Sequence, residues 1–206
     1  MLQLYFSPGA CSFVPHVGLE AAGAEFEPKL VKLHRGEHRT PEYLALNPNA
    51  QVPVLVVDGK PLTQIVAISD FLDRRFPQAA LLPADAWERT QALSRLAWMN
   101  STPHTTMTRF FFPERYAESE SARQEVRQRA AQDFRGHLAR LQEALPEKTY
   151  PLHDAYAFTL LRWGGFAGID PGTLPSLRRQ VEKAAQSAAF KAALARERIA
   201  LDTFKG

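Results

Sequence analysis

One cysteine, Cys11, stands in 206 residues, so no internal disulfide framework staples this chain. No apolar run approaches the roughly 20 residues that a membrane-spanning helix needs. No basic segment followed by an apolar one opens the chain; a strand-like segment begins at once, which leads us to expect no leader. Charge of one sign is also scarce. Lys and Arg number 25 against 22 Asp and Glu, a formal excess of +3, and the basic residues never gather into the dense block that a phosphate backbone requires. Internal repeats and low-complexity tracts are missing too. These absences argue for the reducing cytoplasm and against membrane or nucleic acid as a partner. What is present is 45% hydrophobic and 23% charged residues, enough apolar material for one large or two small cores.

The lone cysteine has a particular setting. Cys11 lies in Ser7-Pro-Gly-Ala-Cys-Ser-Phe-Val-Pro15, between a short apolar strand, Leu2 to Phe6, and a helical stretch that stops at Gly23. A thiol there meets the unpaired N–H groups and positive dipole end of a helix, which stabilise a thiolate, its own or that of a bound ligand. Ser12 is the expected N-cap of that helix, and Pro15 is tolerated in its first turn. A second strand is expected over Glu27 to Leu33. Thr40-Pro41 then opens a short helix through Leu46 that ends before Asn47-Pro48. Val52 to Val57 and Lys60 to Thr63 flank Asp58-Gly59, the signal for a tight hairpin. Gln64 to Phe76 carries apolar residues at 65, 68, 71, 72 and 76, a helical period. The order βαβαββα suits one mixed sheet covered on both faces, the thioredoxin-like arrangement.

Strand signals vanish beyond residue 78. Residues 79–86 read as a linker, and 87–206 as an all-helical domain, so the fold class is α/β followed by all-α. Trp87 to about Phe112 is expected to form one long helix bent at Pro103, which removes an internal hydrogen bond. Ser119 to Leu145 is amphipathic, with Val126, Ala130, Phe134, Leu138 and Leu141 on one face. A third helix is expected from Pro151 to Gly168, and one or two more from Leu174 to Arg198.

Three segments together carry a resemblance: Ser7-Pro-Gly-Ala-Cys-Ser-Phe-Val-Pro-His16; Asn47-Pro-Asn-Ala-Gln-Val-Pro-Val-Leu55 with Leu62-Thr-Gln-Ile-Val-Ala-Ile68; and Asp154-Ala-Tyr-Ala-Phe-Thr-Leu-Leu-Arg-Trp163. In this order and spacing the chain resembles the cytosolic glutathione S-transferase superfamily, nearest to its bacterial beta-type enzymes. The resemblance implies glutathione as co-substrate, no metal, a homodimer and a small hydrophobic electrophile as second substrate. Its chemistry would be thiolate attack on that electrophile, or thiol–disulfide exchange of the reductase or peroxidase kind. A dithiol mechanism is disfavoured, since the position three after Cys11 is Val14. The alternative of a different class is a non-catalytic interaction protein on the same fold, of the stringent-starvation type.

The resemblance also assigns residues. Gln51, Val52 and Pro53 would hold glutathione; Pro53 would be cis, and the Val52 backbone would pair with the cysteinyl backbone like an added strand. Gln64 and Ile65, at a helix N-terminus, would receive the γ-glutamyl carboxylate, with only a backbone N–H available from Ile65. His34, beside Arg35 and His38, would face the glycyl carboxylate. Around the sulfur, Cys11, Ser12, Asn100 and His104 are the catalytic candidates, with His104 as hydrogen-bond donor to a thiolate. Tyr5 is a weaker candidate for an activating hydroxyl. Phe110, Phe111 and Phe112 are candidates for a hydrophobic wall. Asp154 would complete a capping box, but Pro151 occupies the N-cap position, so only half of that motif is present.

Overall fold

The computed structural model describes residues 1–144, 148 and 150–200. Its first part runs β1 (Leu2–Phe6), α1 (Phe13–Ala21), β2 (Phe26–Leu30), α2 (Pro41–Leu46), β3 (Val54–Val57), β4 (Lys60–Thr63) and α3 (Ile65–Arg75). The four strands form one sheet in the order β2-β1-β3-β4, with β1 parallel to β2 and antiparallel to β3. Asp58 and Gly59 turn the β3–β4 hairpin with φ of +49° and +82°, the pair of positive values a two-residue turn asks for. This is the thioredoxin-like topology expected above.

The strand boundaries differ from expectation at two places. Leu33 leaves β2 early and opens a single 3₁₀ turn, Leu33–Arg35, which Gly36 ends at φ +74°. Val52 and Pro53 precede β3 rather than belonging to it. Thr40 caps α2 as its sequence suggests, its Oγ1 accepting the Tyr43 N–H at 3.3 Å. Ser12 stands at the N-cap position of α1, but its side chain makes no capping hydrogen bond.

From residue 86 the chain is helical: α4 (Ala86–Ser101), α5 (Pro103–Phe111), α6 (Glu120–Glu143), α7 (Pro151–Phe166), α8 (Pro175–Ala184) and α9 (Ala188–Glu197). The long helix expected over 87–112 is instead two, α4 and α5. Thr102 between them has φ −114° and ψ −76°, since a proline disfavours helical backbone just before it and supplies no N–H. Pro151 is not the N-cap of α7 but its first helical residue, after Tyr150, where a missing N–H costs nothing. Asp154 accepts the Gln180 amide N–H at 2.6 Å, joining α7 to α8. The expected end of the amphipathic helix at Leu145, and most of the turn after it, lie outside the described residues.

One hydrophobic core joins the two parts. Leu2, Leu4 and Phe6 of β1 point to it, α1 crosses it, and α3, α7 and α9 surround α1. Phe13 of α1 meets Phe158 of α7 at 4.9 Å and Phe190 of α9 at 5.4 Å between ring centroids, an aromatic knot between sheet and helices. A smaller cluster, Val31, Tyr43, Val52, Val54 and Val56, covers the other face of the sheet beneath α2. Among the described residues no helix is long and apolar enough to cross a membrane.

Candidate active site

The loop from Ser7 to Ser12 leaves β1 and enters α1. Ser12 shapes it: Oγ accepts the Ser7 N–H at 3.1 Å and donates to the Ser7 carbonyl at 3.2 Å. Fully buried, that hydroxyl is committed to the loop itself. Gly9 adopts φ +70°, and a side chain there would strike the Arg162 guanidinium. Its N–H donates to Glu197 Oε2 at 2.9 Å, and its carbonyl accepts from Trp163 Nε1 at 3.0 Å.

Cys11 lies near the end of this loop, just before the N-cap position of α1, 6% exposed, with Sγ donating to the Val52 carbonyl at 3.4 Å. Burial pushes its thiol up to about 12, and the charge of Glu197 adds to that, against the lowering pull of the Cys11 and Ser12 backbone groups. The helix mouth does favour a thiolate, as its sequence suggests, but for Cys11 desolvation wins. Its sulfur stays protonated at neutral pH.

A ledge of backbone faces this loop. Asn47 is buried; its Nδ2 donates to the Gln51 carbonyl at 2.7 Å while Oδ1 accepts the Asn49 N–H at 3.1 Å. Tyr43 donates to the same Gln51 carbonyl at 2.8 Å, which leaves the Gln51 side chain exposed. The Val52–Pro53 peptide is cis. The Val52 carbonyl holds the Cys11 thiol, and the Val52 N–H has no partner among the described residues, so one half of the expected strand-like pairing edge is open. At the head of α3, Gln64 takes φ +74° and ψ 119°, and no side chain caps the helix. Its first N–H groups therefore remain for an anion. Ile65 is 3% exposed and packs into the main core, so only its backbone is on offer. His34 is exposed on the 3₁₀ turn, apart from the buried groups.

Side chains make the opposite wall. Asn100 lies near the end of α4 and His104 in the first turn of α5, and Tyr156 of α7 bridges the break between them. Tyr156 Oη donates to Asn100 Oδ1 at 3.0 Å and lies 2.7 Å from His104 Nδ1. A phenol has one proton. With that proton on Asn100, His104 Nδ1 must be the donor to the phenol oxygen, and the remaining ring nitrogen, Nε2, is an acceptor. Burial pushes His104 down to about 4, so the ring is neutral near pH 7. In that tautomer the role open to His104 Nε2 is to accept a proton, whereas its sequence led us to expect a donor to a thiolate.

This wall reaches the cysteine loop. The His104 ring stands edge-on to Trp163 at 5.0 Å, and the indole N–H of Trp163 is the one that holds Gly9. Burial raises the Tyr156 phenol well above its usual range, and Cys11 adds to the effect. Phe111 packs on Trp163 and on Phe166, 5.8 Å from each, and Phe166 is 57% exposed. The three consecutive phenylalanines diverge: Phe110 leans on the core, Phe111 builds the wall, and Phe112 lies under the Arg115 guanidinium at 4.3 Å. Tyr5 faces the smaller cluster, edge to face with Tyr43.

Tyr156 and Glu197 are the residues that sequence reading missed. Tyr156 had a signal, standing seven residues before Trp163 on one helix face within a segment already singled out. Glu197 had none; it sits among alanines and arginines like any solvated helix end.

Comparison with known proteins shows what the chain is similar to. The family model "Glutathione S-transferase, N-terminal domain" matches residues 1–74. A relative from Xanthomonas campestris pv. campestris, glutathione S-transferase GST-4.5, is 31% identical over 95% of this chain and 98% of its own. A glutathione transferase homolog from Sulfitobacter, solved with bound glutathione, superposes with a TM-score of 0.90 at 25% identity over 95% of this chain and 98% of that one. A bacterial beta class glutathione S-transferase from Sphingomonas chungbukensis superposes with a TM-score of 0.82 at 32% identity over 96% of this chain and the whole of that one.

Proposed function

The chain belongs to the glutathione S-transferase family, and on that premise we propose that it activates the glutathione thiol for attack on small hydrophobic electrophiles. Glutathione is its co-substrate. In this reading the peptide lies along the backbone ledge, its cysteinyl group pairs with the free Val52 N–H, and its γ-glutamyl carboxylate meets the first turn of α3. His34 serves the glycyl carboxylate from the 3₁₀ turn.

The observation that carries the proposal is the bridge from Asn100 through Tyr156 to His104, against the cysteine loop. It leaves His104 an acceptor nitrogen for the thiol proton. As that proton moves, the new thiolate faces both the imidazolium and the N–H groups of Cys11 and Ser12, so each charge stabilises the other where burial alone disfavours both. The sulfur lone pair then forms the new bond to carbon, the leaving group departs with its electrons, and His104 passes the proton to solvent. Phe111, Phe166 and Trp163 give the electrophile its apolar seat. A homodimer in the cytoplasm belongs to the same proposal, supported by the family.

Cys11 plays no covalent part in conjugation on this reading, because its thiol is protonated and turned onto Val52. Retention on immobilised glutathione together with conjugation of a chloronitrobenzene tests the enzyme; neither signal would return the chain to the non-catalytic alternative. In Cys11→Ala, conjugation should fall by less than about threefold while any mixed disulfide disappears from the intact mass. Near-complete loss of conjugation would make the chemistry covalent at Cys11 instead.

A further inference from the structure

Two guanidinium groups flank the aromatic wall. Phe166, Phe111 and Phe112 follow one another ring to ring, 5.8 Å and 6.4 Å between centroids. Arg162 of α7 stands over the Phe166 ring at 5.3 Å, and Arg115, in the turn after α5, over Phe112 at 4.3 Å. Neither forms an ion pair with a carboxylate among the described residues.

Of the two, Arg162 is set into the site. It is half-buried, and its Nη1 donates at 3.4 Å to the Gly9 carbonyl, the oxygen that also accepts from Trp163 Nε1 at 3.0 Å. The guanidinium therefore lies between the cysteine loop and the wall assigned to the electrophile. Its Nε is buried without a partner, while Nη2 has no hydrogen bond among the described residues and opens to solvent. The acid whose charge reaches Arg162 is Glu197, and its oxygens are taken by the Gly9 N–H and by His16 Nδ1. A half-buried arginine stays charged, and this one has given up hydration for a single long hydrogen bond. Such a cation beside an apolar seat favours a ligand that is apolar at one end and anionic at the other.

We propose that Arg162 selects the second substrate, its free Nη2 donating to a carboxylate carried by an aromatic electrophile whose ring lies on Phe111 and Phe166. Turnover of such a substrate rests on the transferase reading; the contact itself does not.

Binding of 3,5-dinitrobenzoate and of its neutral amide, 3,5-dinitrobenzamide, measured by calorimetry, reads the contact without turnover. The parent protein should bind the acid at least about tenfold tighter than the amide, and Arg162→Met, which keeps an unbranched apolar stem, should bring that ratio to within about twofold of one. Arg162→Lys keeps the charge and should retain at least about a third of the preference. Raising salt from about 0.05 to about 0.5 M should cut the parent's ratio at least about threefold, a measurement that needs no variant. A parent ratio near one, a ratio unmoved by Arg162→Met or by salt, or an equal loss in Arg115→Gln would overturn the assignment. Displacement of the acid by saturating glutathione would give the guanidinium to the peptide's own carboxylates and overturn it as well. In conjugation, where the glutathione sulfur replaces chloride, kcat/KM for 4-chloro-3,5-dinitrobenzoate should exceed that for its amide at least about tenfold after each is divided by its uncatalysed rate, and Arg162→Met should lose that preference. Equal values in the parent would overturn the selection. Conjugation of neither compound by any form would defeat the transferase reading, and the binding comparison would still decide the contact.

Discussion

The sheet side of the cleft offers a ligand mostly backbone: the Val52 N–H, the uncapped first turn of α3 behind Gln64, and the N–H groups of Cys11 and Ser12. The helical side offers side chains, Asn100, Tyr156 and His104 in one hydrogen-bonded chain, with Trp163 and Phe111 beyond. The difference concerns tolerance. A backbone N–H survives any substitution that keeps the chain's path, so in the proposed reading Ile65 needs no polar side chain, and its own is buried in the core. A side-chain relay has one partner per atom, so losing one atom strands two others.

Three changes would break or sharpen that contrast. Tyr156→Phe leaves Asn100 Oδ1 and His104 Nδ1 unpaired inside the wall, and kcat for conjugation should fall by about 10- to 100-fold with a stability loss of about 1–3 kcal/mol. Steady-state kinetics and urea unfolding measure both; a change in kcat below about threefold would remove the relay from the mechanism.

Acid should loosen the helical half next. His104 and His153 are each pushed down to about 4, both chiefly by burial, and His153 Nε2 lies 2.8 Å from the Ala92 carbonyl. An unfolded histidine titrates near 6.5, so between about pH 6.5 and 4 the unfolded chain binds more protons and stability drops as pH falls. His153→Gln should flatten that slope by on the order of 2–3 kcal/mol, with a smaller share left to the partly exposed His104. Urea midpoints across that range that keep the same slope in the variant would show that His153 is not the group titrating.

Gln64→Gly is the gentlest. Glycine takes positive φ without strain and leaves the N–H groups of α3 in place, so the KM for glutathione should rise by less than about threefold. A tenfold rise would mean that the Gln64 side chain itself holds the peptide, and the sheet side would no longer be a backbone surface.

Much of the sheet side was legible in the chain of residues. Asp58-Gly59 demands a hairpin, Thr40-Pro41 a helix start, and the 65, 68, 72 spacing a buried helix face; each rests on interactions among near neighbours. The same local logic went astray at Ser12, whose hydroxyl turns back to Ser7 instead of capping α1. It also read residues 87–112 as one helix carrying both Asn100 and His104. They do converge, but through Tyr156, some fifty positions away.

By itself, then, the order of residues determined the strands, turns and helix starts, and through three segments the family and the edge on which glutathione is expected to lie. Tertiary structure alone decided that the Cys11 thiol is protonated, that Tyr156 joins Asn100 to His104, and that Glu197 grips the cysteine loop. Local elements follow from backbone sterics and the periodicity of apolar residues, which act over a few positions. Proton affinities and buried charges follow from desolvation and from partners that folding alone brings together.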